Sequence, residues 1–415
     1  MDEVPETSTS ALEKNLRQAL IDEFGESSLS GQYMPDPPVR GPFGEGEIWL
    51  KEDARPVSVP PFHLNGERRE ALDQLVGKCI DMHKLEPGKG AWNTPAFPVP
   101  KKTPGSYRLV QDLRPQNAAT VKDGHPLPRI NDMVHRQGKN TIWTVLDLVD
   151  GFHQMPLRID HRHITCMSTP RGSMQWTVQV MGLKNAATQF QRMMEWVLKD
   201  LPASDPYIDD SITGSEGLSE EDEVWNNYFA VRAQLQRYKE VRMVCSADKS
   251  KFFQREVGFC GHILRRGRRS PDPGKLMPIQ FWELPQTVTE LRGFLGLTNY
   301  FSEYVEHYAE TAAPLMGKLQ LSRQDGKKGS KVRLIWTDPE VQAFENLKKN
   351  CVRALNCGSQ IWTAHFACIA MQVILQLGQS WPKKLRENGG QLPFIPENWL
   401  KAKKIGPLER RRHMP

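Results

Sequence analysis

Two short acidic stretches constrain what this chain can fold into. The first is Ile142-Trp143-Thr144-Val145-Leu146-Asp147-Leu148-Val149-Asp150-Gly151-Phe152-His153-Gln154, and the second is Tyr207-Ile208-Asp209-Asp210. The first runs apolar, with a strand's alternation, up to one carboxylate. The second ends on two adjacent carboxylates, and neighbouring side chains on a strand leave opposite faces. Both can serve one site only at a tight turn, and the following Ser211-Ile212-Thr213-Gly214-Ser215 allows a hairpin there. For an isolated Asp-Asp pair, an ordinary solvated turn is the commoner meaning. Three carboxylates from two distant segments can also hold two divalent ions. Hard oxygen ligands suit Mg²⁺. Two such ions roughly 3.5–4 Å apart clamp the attacking and leaving oxygens of an in-line phosphoryl displacement.

With 415 residues there is room for two or three domains and a sizeable core. The seven cysteines show no CxxC and no regular spacing, which argues against a disulfide framework or a zinc ribbon and for a reducing, intracellular compartment. Residues 1–30 are acidic and lack the basic start and apolar core of a signal peptide. The apolar run 361–376 is broken by His365, Gln372 and Gln376, so no membrane span is expected. From Val341 onward twelve Lys and Arg face four Glu, a surplus of eight. The preceding 340 residues therefore carry −2 of the net +6. The basicity belongs to the tail and says little about the body.

Along the chain, helices are expected over 11–24, 67–85, 132–136, 220–241, 287–300 and 303–319, with an extended Pro- and Gly-rich arm over 31–66. Strands over 94–102 and 107–114 flank a Pro104-Gly105 turn, a hairpin that carries Lys101 and Arg108. Such a cationic hairpin suits a triphosphate. The turn at Met181-Gly182 opens a helix, where backbone approach is close and the dipole favours phosphate. The segment 252–264 reads as strand, turn and strand.

These stretches, in this order, resemble the reverse transcriptases of gypsy-like LTR retrotransposons and, more distantly, of retroviruses. The resemblance runs from about Tyr33 to about Lys348. It implies an α+β right-hand polymerase of fingers, palm and thumb, the palm a ferredoxin-like sheet backed by helices. It implies that Asp147, Asp209 and Asp210 are catalytic and bind two Mg²⁺ or Mn²⁺ ions. It places Lys101, Arg108, Met181 and Gly182 around an incoming dNTP, with Phe152 as the gate under its sugar. Phe259, Gly261 and His262 match the primer grip, and Asp112-Leu113-Arg114-Pro115-Gln116-Asn117 matches a structural turn. Residues 67–270 correspond to fingers and palm, and 271–349 to thumb and connection. The expected partners are a primed RNA or DNA template and dNTPs.

Two departures temper this expectation. The approach to Tyr207 is Asp200-Leu201-Pro202-Ala203-Ser204-Asp205-Pro206, a poor central strand because proline donates no ladder hydrogen bond. Asp338 is the last aspartate, so no ribonuclease H site is expected, and residues 350–415 read as a basic disordered tail. The alternative function is a catalytically inactive remnant that binds nucleic acid without extending it.

Overall fold

The computed structural model describes residues 8–32, 41–101, 103, 105–324 and 333–356, all within one unit that ends at Gly358. The tail expected over 350–415 lies outside the described residues from 357 onward. In chain order the helices are α1 (Ser8–Phe24), α2 (Gly66–Asp81), α3 (Arg114–Ala119), α4 (Ile130–Gln137), α5 (Ala186–Leu198), α6 (Glu220–Val241), α7 (Pro273–Gln280), α8 (Val288–Tyr300), α9 (Tyr308–Gln324) and α10 (Asp338–Asn356). The strands are β1 (Leu85–Pro87), β2 (Thr94–Pro100), β3 (Tyr107–Gln111), β4 (Ile142–Asp147), β5 (Met167–Thr169), β6 (Gly172–Trp176), β7 (Ser204–Tyr207), β8 (Asp210–Ser215), β9 (Lys251–Gln254), β10 (Glu256–Phe259), β11 (His262–Arg265) and β12 (Arg268–Pro271).

The four strands that matter most form a sheet in the order β7-β8-β4-β9, all antiparallel to their neighbours. Their chain order is β4-α5-β7-β8-α6-β9, the β-α-β-β-α-β succession of a ferredoxin-like fold. Alternation along β4 sends Ile142 and Leu146 to one face, where they pack with α1, α5 and α6 through Leu20, Phe24, Phe190, Met194, Val231 and Leu235. Trp143 and Val145 point to the other face. There they meet Met133 and Val134 of α4, Ile212 of β8, and Val257, Phe259 and Leu264 of the small β10-β11-β12 sheet. The α6 helix starts at a capping box in which Ser219 accepts from Asp222 and Asp222 accepts in return, so its boundary was readable from sequence.

A second sheet, β1-β6-β5-β2-β3, carries the cationic hairpin. Helices α7 to α10 close on a core of their own, with the Phe294 and Phe344 rings 4.6 Å apart. Several boundaries differ from expectation. The helix expected over 67–85 stops at Asp81, because His83 takes a left-handed backbone (φ 53°) and Leu85 begins β1. The run expected over 303–319 starts only at Tyr308, after a 3₁₀ turn at Ser302–Tyr304. Two elements, β12 and α7, carry no apolar period that announces them.

Candidate active site

β7 and β8 are joined by the two residues Ile208 and Asp209. Of these, Ile208 alone has a positive φ, 57°, the sense of a II′ turn, which normally places glycine there. A β-branched side chain in that region costs on the order of 1–3 kcal/mol and persists only where its surroundings impose it. The consequence is geometric. Asp209 sits in the loop and Asp210 opens β8, so the two carboxylates escape the up-and-down alternation of a strand.

Asp210 stands directly opposite Asp147 across the β4–β8 ladder. Cross-strand partners share a face and lie roughly 4.5–5.5 Å apart at Cβ, so like charges there repel. Burial, reinforced by Asp209 and Asp147, pushes the Asp210 carboxyl up to about 6. Burial also raises Asp147; Asp209 adds to this, and Lys249, whose Nζ lies 4.0 Å from Asp147 Oδ1, opposes it. Asp147 is held through its backbone: its N–H donates to Ser250 Oγ at 3.1 Å, and its carbonyl accepts from Ser246 N–H at 2.9 Å. Hard oxygen donors with too little neutralising charge fit Mg²⁺ or Mn²⁺. Among the described residues there is no group of three or more His, Cys, Asp or Glu side chains that could by itself hold a metal ion.

The segment after β4 lies against the hairpin. Asp150 adopts a left-handed backbone (φ 50°), and a 3₁₀ turn follows at Gly151–Gln154. A Cβ on Gly151 would come 2.8 Å from Asp209 Cβ, so glycine is required by contact rather than by φ. Lys84, almost wholly buried, reaches Asp150 at 2.5 Å. Burial pushes the Asp150 carboxyl up, but the hydrogen bond and charge of Lys84 outweigh it and leave it below its ordinary range. Phe152 is half-buried between the two larger cores, its ring 5.3 Å from that of Phe190.

The glycine turn is tied to the cationic hairpin's sheet by Asn117. Its Nδ2 donates to Gly182 O at 2.8 Å, and its Oδ1 accepts from Lys184 N–H at 2.7 Å. Gly182 needs its left-handed backbone (φ 101°), and Met181 beside it is 67% exposed, facing outward. Asp112 and Arg114 form a paired fork at 2.6 and 2.8 Å that starts α3. Lys101 follows β2 and Arg108 lies on β3, both exposed and without an ion pair among the described residues.

The three grip candidates separate. Phe259 and His262 point inward. Phe259 belongs to the core under the sheet, and His262 packs among Tyr300, Phe301 and Tyr304 with its Nδ1 2.8 Å from Tyr304 Oη. Only the Cys260-Gly261 turn between β10 and β11, both residues at positive φ (46° and 75°), approaches the carboxylates. Burial lifts the Cys260 thiol to about 12, with Asp210 and Asp209 adding to it. Phe259 and His262 flank this turn and pack beneath it.

In place of the poor central strand expected before Tyr207, β7 is an edge strand, short at four residues. Gly214 N–H donates to Ala203 O, and this sets the ladder so that Pro206, opposite Ser211, falls at a position that needs no cross-strand N–H. Asp205 is buried but accepts from Arg136 at 2.6 Å and Gln137 at 2.8 Å. Gly151, Lys249, Lys84 and Gln191, whose side chain reaches the hairpin, were not visible as site residues. The one available signal was a glutamine, Gln191, at a buried-face position of α5.

Residues 99–264 match the family model of reverse transcriptase (RNA-dependent DNA polymerase). The Retrovirus-related Pol polyprotein from transposon opus of Drosophila melanogaster is 31% identical over 309 residues, covering 72% of this chain and 29% of that protein. This chain carries a reverse transcriptase domain of the LTR-retrotransposon type. The Pol polyprotein from transposon 412 of the same species is also 31% identical, over 313 residues, covering 74% of this chain and 24% of that protein. The chain thus spans less than a third of the length of these curated relatives. Among solved structures, a foamy viral protease-reverse transcriptase in complex with double-stranded DNA superposes with a TM-score of 0.66 at 21% identity, covering 86% of this chain and 62% of that one. The reverse transcriptase fold is therefore the right-hand polymerase fold, and the β7-β8-β4-β9 sheet is its palm.

Proposed function

We propose that the chain performs RNA-directed DNA synthesis, adding dNTPs to a primer 3′-hydroxyl on an RNA or DNA template. The observation that carries this is the placement of Asp147 and Asp210 as direct cross-strand partners, with Asp209 in the turn between β7 and β8. Asp147, Asp209 and Asp210 would hold two divalent ions. When bound, these supply charge stabilisation to the reacting phosphate and lower the pKa of the attacking hydroxyl. Lys101 and Arg108 donate charge-assisted hydrogen bonds to the triphosphate. Asn117 holds the Gly182 turn where nucleotide approach is closest. Phe152, whose ring packs 5.3 Å from that of Phe190, would act as the gate under the sugar, where its bulk excludes a 2′-hydroxyl. The Cys260-Gly261 turn steadies the primer end. Nearly all catalysis in phosphoryl transfer is positioning and charge stabilisation, so loss of the carboxylates removes most of the rate.

The inactive-remnant alternative rested in part on the proline-rich approach to Tyr207, and the edge position of β7 weakens that part. The test is extension of oligo-dT on poly-rA in Mg²⁺ and then Mn²⁺, with Asp209→Asn, Asp210→Asn alongside. Extension that disappears in the double variant is the expected result. Wild-type extension by the double variant sinks the assignment. A wild type that binds primer–template in a salt-sensitive manner but extends nothing would revive the remnant.

A further inference from the structure

We infer that Gln191 is a positioning residue that sets the carboxylate hairpin from outside the sheet, braced by Glu195 and His125. The inference rests on reading that hairpin as metal-binding. Gln191 is fully buried on α5. Its Oε1 accepts from Ile208 N–H at 2.6 Å, and its Nε2 donates to Pro206 O at 3.0 Å and to Glu195 Oε1 at 3.0 Å. One amide therefore spans the turn, from the residue before Tyr207 to the residue before Asp209.

The tip of the hairpin departs from the usual two-residue turn. Its loop has isoleucine rather than glycine at the left-handed position. The Ile208 N–H belongs to no ladder, and Pro206 O lies on the side of β7 that has no neighbouring strand. Each would be an unpaired backbone group beside a buried core, and Gln191 satisfies both. Glu195 decides which way the amide points. A carboxylate only accepts, so the NH₂ end must face it and the oxygen must face Ile208. Glu195 is held in turn by His125, whose Nε2 lies 3.1 Å from Glu195 Oε2. His125 N–H donates to Asp123, which also pairs with Arg192 at 2.6 Å. The Asp123-Gly124-His125 segment thus acquires a role as the outer end of this brace.

The test uses the full chain with Gln191→Met, which keeps length but makes no hydrogen bonds, and with Glu195→Met, which keeps the Gln191 amide but removes the acceptor that orients it. Gln189→Met is the control, since Gln189 is also buried on α5 but bonds to Glu47 and Gln179 instead of the hairpin. Three quantities are read: amide exchange of the Ile208-Asp209 peptide, Mn²⁺ affinity by loss of the free-ion electron paramagnetic resonance signal, and kcat and KM for dNTP. For Gln191→Met the expected result is lost protection, Mn²⁺ affinity and kcat lower by roughly 10- to 100-fold, and KM nearly unchanged. Glu195→Met loses part of this protection and affinity, and the control leaves Mn²⁺ affinity alone. Wild-type protection and Mn²⁺ affinity in folded Gln191→Met overturn the inference. Should that variant not fold, a folded Glu195→Met with wild-type protection and Mn²⁺ affinity overturns it equally. A wild type that binds no Mn²⁺ overturns the metal reading itself, and amide exchange then still decides whether Gln191 holds the turn.

Discussion

Replacing Gly151 by alanine isolates the cost of moving Asp209. The new Cβ would lie 2.8 Å from Asp209 Cβ and 3.7 Å from Phe190 Cζ. Ordinary carbon contacts sit at about 3.5–4.0 Å, so the loop must retreat by roughly 1 Å. Gly151 opens a 3₁₀ turn without a positive φ, so alanine is compatible with the backbone there. It would even gain about 0.4–1 kcal/mol through the unfolded state. Overpacking costs about 1–3 kcal/mol, which leaves a net destabilisation of at most about 2.6 kcal/mol. The effect on rate is larger. A misplacement of about 1 Å costs around 100-fold, or about 2.7 kcal/mol of barrier. Single-turnover extension at saturating dNTP, beside urea denaturation of the same preparation, reads both quantities. A folded Gly151→Ala protein that extends at the wild-type rate would refute the claim that Gly151 and Asp209 share this contact.

Asn117→Ala removes the two hydrogen bonds that hold the Gly182–Lys184 turn. KM for dNTP should rise about 5- to 30-fold, the equivalent of roughly 1–2 kcal/mol, with kcat little changed; a fall in kcat alone in steady-state assays would contradict the assignment. Stability should also depend on pH through His262, whose burial, aided by Arg269, lowers its pKa to about 4. The folded imidazole stays neutral while the unfolded one protonates near 6.5, so stability falls as pH drops from about 6.5 toward 4, by up to roughly 3 kcal/mol. His153, also buried and lowered to about 4, contributes with the same sign. The difference between urea midpoints at pH 7 and pH 5 should therefore shrink in His262→Gln, with the His153 part remaining, and an unchanged difference would show that the slope arises elsewhere.

Some elements were legible because their signal is local. The β4 run declares itself by alternation up to Asp147, and α6 by its capping box and apolar positions. The β2–β3 hairpin follows from its Pro-Gly turn. Others were not. β12 reads Arg268-Arg269-Ser270-Pro271, and α7 begins and continues with proline at Pro273 and Pro278, so neither shows an apolar period. They exist because β11 and the α8–α10 core give them a surface to cover.

The sequence by itself determined that a strand runs up to Asp147 and that Asp209 and Asp210 lie at a turn, because residue type, spacing and strand period are properties of a short stretch. It also determined the order of strands and helices that makes a ferredoxin-like palm possible. Only the tertiary structure decided that β7 lies at an edge, and so that its one proline, Pro206, leaves no ladder bond unmade. Whether a missing N–H matters depends on which neighbour would have received it. It likewise decided that Gly151 is held by Asp209, that Lys84 reaches Asp150, and that a buried glutamine on α5 carries the hairpin tip. These are contacts between segments 17 to 66 residues apart, and no period along the chain encodes them.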